Sequence, residues 1–304
     1  MTHKDFTLTH YPLSGFVQLE MLMRGDLLLG KLSLGINFSL CYAQVNMKNI
    51  TIIFLLLAEI CAGQAHEKFL SDFLLEDELK PENVLSDYNR FDFSGVWSQT
   101  ENYQVLGIIG SEYQRIKIKL ISFKKINPNS NEYFVIGKSN VKGTICDFKG
   151  TIQLREIKEV KKLHFGVDEE YKNSGIKSEG ILVAEYEFKE NPKQIHSGVF
   201  RGQLFTKWYL NSNNQIQYDD IQSISDEYMN NAFIGIWVNN STHKKKICNW
   251  ADYRVPEVSP RFDIGAAEFS PSENYYERGW ENYQKAWLSE DIQAQEEERH
   301  EWWK

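Results

Sequence analysis

The sequence predicts an all-β protein: an antiparallel up-and-down meander closing into a barrel, with a helical leader ahead of it and a helix behind it. Three observations carry that expectation. Phe93-Ser94-Gly95-Val96-Trp97 returns as Phe233-Ile234-Gly235-Ile236-Trp237; in an extended chain the two aromatics of such a segment share a face, and the glycine admits a close neighbour. Tyr113 to Leu120 alternates polar and apolar residues, the period of a strand with one wet face. Turn chemistry then recurs at Asn127-Pro128-Asn129-Ser130-Asn131, Asn173-Ser174-Gly175, Glu190-Asn191-Pro192 and Asn211-Ser212-Asn213-Asn214, with no helical period between these points.

The chain of 304 residues is 42% hydrophobic and 13% aromatic, a globular composition with ample material for a core. Its net charge of −8 argues against a nucleic-acid partner, whose phosphates call for a basic face. Lys244-Lys245-Lys246 reads as a solvated loop.

Met47 to Ala65 has the layout of a secretory signal peptide: Lys48, an apolar run from Ile50 to Ala58, and Gly63 and Ala65 spaced like a cleavage site. The run is shorter than the roughly 20 residues a spanning helix needs, so no stable membrane anchor is expected. Met47 then reads as the initiator and residues 1–46 as an extension of the gene model. Removal of the signal would take Cys41 and Cys61 with it and leave Cys146 and Cys248, in the similar contexts Ile145-Cys146-Asp147-Phe148 and Ile247-Cys248-Asn249-Trp250. In an exported chain such a pair reads either as one disulfide or as two buried thiols.

Residues 66–92 read as the helical leader, its apolar face carried by Phe69, Leu70, Phe73, Leu74 and Leu75. The barrel is expected over 93–255, with strands at Glu132–Ser139, Thr144–Arg155, Gly180–Lys189, Gly198–Leu210 and Ile216–Ile221. Residues 256–304 read as a polar loop followed by a helix whose aromatics fall at 276, 280, 283 and 287, and then a solvated tail. Cys146 lies 49 residues past Trp97 (146 − 97) and Cys248 only 11 past Trp237 (248 − 237), so the repeated motif reads as first and last strands of one sheet, not as a duplicated domain. Phe93, Gly95, Trp97, Phe233, Gly235 and Trp237 are then structural.

The Phe93–Trp97 motif, with a short helical segment before it and a meander after it, resembles the opening of a lipocalin or, more broadly, a calycin-type barrel, where a G-x-W lies near the start of the first strand. The resemblance implies a closed calycin-like barrel over about residues 93–240, with a basic residue covering the Trp. Arg254 is the one candidate for that role, and the family's T-D-Y motif has no counterpart here.

No catalytic signature stands in the sequence: no G-x-S-x-G, H-E-x-x-H, P-loop or C-x-x-C. The histidines after the signal, His66, His164, His196, His243 and His300, lack metal-ligand spacing, and no metal or other cofactor is expected. Asp219, Asp220, Asp226 and Glu227 cluster, and clustered carboxylates serve hard cations or acid–base work. Neighbours on a strand point to opposite faces, so Asp219 and Asp220 share a site only where a strand ends; a turn or helix cap is the alternative. The second constellation is aromatic. Trp208, Tyr218, Trp250 and Tyr253, with Arg254, suit a flat or sugar-like ligand at a barrel mouth, or equally core packing.

The leading expectation is therefore an exported, non-enzymatic binding protein for a small apolar or glycan ligand. Its rival is a polysaccharide hydrolase using Asp219 or Asp220 with Glu227 or Glu268, and a third reading is a purely structural surface module. The stretch from Cys248 to Pro271 is the expected functional surface, and the oligomeric state is left open.

Overall fold

A computed structural model of the chain describes Phe73 and residues 78–304. The expected extension (1–46), the signal peptide (47–65) and most of the helical leader (66–92) lie outside the described residues. Within them the leader contributes Leu79, in an isolated bridge with Val160, and the single turn α1, Leu85–Tyr88.

The rest is a curled antiparallel sheet, a half-barrel. Its strands are β1 (Val105–Ile109), β2 (Gln114–Arg115), β3 (Lys117–Lys125), β4 (Glu132–Val141), β5 (Thr144–Glu159), β6 (Ser178–Glu190), β7 (Gly198–Leu210), β8 (Ile216–Tyr218), β9 (Asn230–Asn239) and β10 (Lys245–Asp252). They lie in the order β2-β1-β10-β9-β7-β6-β5-β4-β3, with β8 on β7. From β3 to β7 each strand pairs with its successor, as a meander of hairpins requires. β7 divides its next edge, pairing with β9 over Gly198–Phe205 and with β8 over Trp208–Leu210. Ile116 alone separates β2 from β3, and its N–H donates to Gly107 O at 3.0 Å. Two short helices, α2 (Glu281–Trp287) and α3 (Ile292–Arg299), follow the sheet.

The two F-x-G-x-W copies are not equivalent. The second lies in β9, where a Cβ on Gly235 would stand 2.8 Å from Tyr186 Oη, the close approach expected of that glycine. The first is a 3₁₀ turn, Ser94–Trp97, and nothing lies within 4 Å of a Cβ at Gly95. It corrects the expectation of a first strand: Ser94 N donates to Asp92 Oδ1 at 2.9 Å in a local turn at its start, and the chain becomes extended only at β1. Nor is β9 the last strand, because β10 follows and pairs with β1.

One residue parity on each strand faces the concave side. Tyr133, Val135 and Ser139 do so on β4; Leu182, Ala184, Tyr186, Phe188 and Glu190 on β6; Phe200, Leu204, Thr206, Trp208 and Leu210 on β7; all are buried. Rings fill the middle, with Trp250 stacked on its cross-strand partner Phe233 at 4.6 Å and Tyr186 edge-on to both at 5.2 and 5.4 Å. The first motif plugs one end. Trp97 packs edge-on to Tyr133 at 4.9 Å and donates from Nε1 to Thr206 Oγ1 at 3.1 Å, while Phe93 N donates to Tyr133 Oη at 3.0 Å.

Cys146 on β5 and Cys248 on β10 are both free and buried, so of the two readings left open the disulfide falls. β9, β7 and β6 stand between their strands in the sheet. Burial pushes the Cys146 thiol up to about 11 and Cys248 well above the usual thiol range, the condition of inert core thiols.

Candidate functional site

Among the described residues, the two concave regions of greatest volume lie on opposite sides of this sheet. The first is a cleft of about 1040 Å³ walled by the turns around 222–229 and the loop 254–265 against β6 and β7. It gathers several residues named from the sequence, since Asp219, Glu227 and Arg254 all line it. Asp219 is buried; its Oδ1 caps Ile221 N at 3.1 Å and its carbonyl accepts from Tyr228 Oη. Burial first, and then the charge of Glu179, push its carboxyl up to about 7. Glu227 is exposed with φ +61. Asp220 is half-buried, Glu268 is exposed, and neither lines the cleft.

Arg254 is held by the loop itself. Nε meets Asp263 Oδ2 at 2.8 Å, Nη1 donates to Ala267 O at 3.1 Å, and Nη2 donates to Gly265 O at 2.5 Å. Three bonds at 10% side-chain exposure leave a guanidinium that ties down a loop poor in aliphatic residues. The aromatic candidates divide. Trp208 and Trp250 are fully enclosed and Tyr218 is buried, whereas Tyr253 is half-buried and packs against Tyr228 at 5.4 Å.

The wall of the cleft carries a charged group that sequence spacing does not single out. His164 Nδ1 meets Glu179 Oε1 at 2.6 Å and its Nε2 meets Glu78 Oε2 at 3.0 Å. The hydrogen bond to Glu179 leads the causes that raise the His164 pKa. Lys207, next to Trp208 on β7, projects into the same cleft.

The second region is the open end of the half-barrel, a cavity of about 890 Å³. Ile109, Ile116, Val141, Phe200 and Trp237 supply apolar wall. Glu190 is at its floor, 4% exposed, accepting from Ser139 Oγ, from Gly198 N at 2.6 Å and from Trp237 Nε1 at 2.9 Å. Burial raises its pKa against the pull of those donors. Lys142, Lys244, Lys245, Lys246 and Arg278 stand on the rim, opposed there by Glu112, which pairs with Arg278 at 3.1 Å. Lys246 Nζ sits 5.7 Å from the Trp237 ring. A chain of net charge −8 thus has a cationic opening over an apolar wall.

A third polar group is sealed inside the plugged end. Asp252 Oδ2 accepts from Thr100 Oγ1 at 2.9 Å, Tyr218 Oη at 3.0 Å and Asn231 Nδ2 at 2.8 Å. Asn231 Nδ2 also reaches Val96 O at 2.8 Å, so this network holds the plug. Only about 30 Å³ is open beside it, which excludes a ligand.

Among the described residues no group of three or more His, Cys, Asp or Glu could hold a metal ion, and no helix is long and apolar enough to cross a membrane. Comparison with protein-family models, with curated proteins and with solved structures finds no match for this chain. The sites therefore rest on their own geometry.

Proposed function

We propose that the protein binds a small apolar ligand carrying an anionic group, in the open end of the half-barrel. The observation that supports this most is the cavity of about 890 Å³ with apolar wall, a buried Glu190 at the floor and lysines around the rim. Its size falls within the range of small-molecule sites, and its polar groups are few and localised, as orientation and specificity require. In this reading the sheet closes as a calycin-like barrel: the strand 114–125 pairs with β1 through β2 and with β4 through β3, bringing the two edges together at Ile116. Export rests on the signal-like segment 47–65 alone.

The test is titration of the full chain with dodecanoate, dodecyl sulfate and dodecanol, each below its micelle concentration, following Trp fluorescence. The reading expects saturable binding of the two anions with dissociation constants of about micromolar order. Converting Lys244, Lys245 and Lys246 together to Gln should weaken the anions and leave dodecanol nearly unchanged. Absence of saturable binding, or equal loss for the neutral alcohol, counts against it.

A second reading is hydrolysis of a polysaccharide at the cleft, favoured by Asp219 with its carboxyl raised to about 7 facing the same space as Glu227. It expects release of reducing ends from a soluble polysaccharide, lost in Asp219→Asn. No release above the variant's background removes it.

A further inference from the structure

The cleft on the outer face contains an amine whose surroundings differ from those of a surface lysine. Lys207 and Asp219 are cross-strand neighbours: Trp208 pairs with Tyr218 in the β7–β8 ladder, and Asp219 N donates to Lys207 O one step further on at 3.4 Å. Residues opposite each other in antiparallel strands present their side chains to one face. On the other edge of β7, Lys207 pairs with Ile181 and Tyr209 with Glu179, which puts Glu179 diagonal to Lys207 on that same face. Lys207 is therefore flanked by one buried carboxyl from each neighbouring strand.

Its ammonium nevertheless makes no ion pair or hydrogen bond among the described residues. Its partners there are two aromatic faces, Phe73 at 4.6 Å and Tyr228 at 6.0 Å from Nζ. The nearby acids are engaged in other ways: Glu179 holds His164 through two bonds, to Nδ1 at 2.6 Å and the backbone N at 2.8 Å, and Asp219 caps Ile221.

We propose that Lys207 is a reactive amine that condenses with small polar aldehydes or ketones in this cleft, with Asp219 as its proton donor. The amine lone pair attacks the carbonyl carbon, a C–N bond forms, and a proton passes from nitrogen to the alkoxide to give the carbinolamine. Asp219 then protonates the hydroxyl, the C–O bond breaks with loss of water, and the iminium left behind returns its proton to the Asp219 carboxylate. The step consumes one carbonyl compound and yields one imine and one water.

The electrostatics run in the required direction. Desolvation lowers the Lys207 pKa, against the charges of Asp219, Glu179 and Glu78. Asp219, pushed up to about 7, still carries a proton in part at neutrality. His164 beside Glu179, with Asp226, Glu227, Glu257 and the Asp263-paired Arg254, completes the charged lining.

The experiment treats the full chain with glyceraldehyde and sodium cyanoborohydride, which reduces the imine by hydride transfer to its carbon, and quantifies each modified lysine by peptide mass mapping. At about pH 7 Lys207 should be labelled severalfold faster than the exposed Lys244, Lys245 and Lys246, and its lead should shrink toward pH 10, where a sizeable fraction of each exposed lysine becomes the free amine. Asp219→Asn should slow Lys207 relative to the same internal standards. Labelling of Lys207 no faster than the exposed lysines, or a lead that does not change with pH, overturns the proposal. The unmutated chain alone separates these outcomes, whether or not the variant folds.

Discussion

Asp252 is a buried carboxyl whose ionisation bears directly on the plugged end of the fold. Burial, partly offset by the donors Thr100, Asn231 and Tyr218, raises its carboxyl to about 7. The folded chain therefore holds a proton that the unfolded chain has released by pH 5, and stability contributed by this group is present below about pH 4 and lost as pH rises toward 7. Asp252→Asn keeps an oxygen for the three donors and removes the titration. Its melting temperature should vary less between pH 5 and pH 8 than that of the parent, the difference being on the order of 1–3 kcal/mol of stability; an unchanged slope would show that Asp252 is ionised throughout. The thiols offer a second check at this scale. Cys248 is enclosed in the core with a raised pKa, so iodoacetamide should alkylate it only after denaturant is added, whereas Cys146, buried with its pKa raised but lining the open cavity, should react slowly in native buffer. Rapid alkylation in native buffer, or no alkylation of the unreduced unfolded chain, would contradict free core thiols.

At the scale of elements, α3 is attached to the sheet by one buried pair. Arg115 on β2 donates to both Glu298 carboxyl oxygens, at 2.8 and 2.6 Å, with Lys117 at 3.4 Å. Burial acts to raise the Glu298 pKa, but the Arg115 and Lys117 charges prevail and hold it at about 2. A depressed carboxyl contributes stability above its unfolded pKa and loses it as pH falls through the folded value. Glu298→Ala leaves the Arg115 guanidinium buried without its partner and should cost about 3–5 kcal/mol in urea unfolding; a loss below about 1 kcal/mol would mean the helix end had moved out and released it. Nothing in the sequence links residue 115 to residue 298, because the pair depends on how the tail folds back. The strands are more legible. β4 to β7 follow the expected runs closely, since hairpin turns and alternation are local signals, whereas β8 keeps only the first half of the run expected over Ile216–Ile221. The short β1 and the late β10 lack such signals, because Val105–Ile109 is uniformly apolar and Lys245–Asp252 opens on charges. Strand phase also locates the polar interior once the strands are known. Ser139, Glu190, Thr206, Asn231 and Asp252 each occupy an apolar, concave-facing position of its strand, although Glu190 reads locally as no more than the start of a turn. Trp208 and Trp250 carry the same phase, and that alone places them with the core.

For the whole molecule, the aromatic middle of the half-barrel decides where ligands go. Rings from β5, β6, β7, β9 and β10 pack within 4.6–6.2 Å of one another, so space remains at the open end and on the outer face, not through the centre. Filling the cationic opening should raise the midpoint of thermal unfolding in proportion to the logarithm of ligand concentration; dodecanoate without that effect would be bound elsewhere or to the unfolded chain. β7 reaches both regions, with Phe200 facing the opening and Lys207 the cleft, seven residues apart (207 − 200) on opposite faces. At the rise of an extended strand that is roughly 23 Å. Perturbations so far apart with no shared partner add within a few tenths of a kcal/mol. Changes made at Lys207 and at the lysine rim should therefore sum in a double-mutant cycle, and the two halves of this surface become separately tunable modules carried on a single strand.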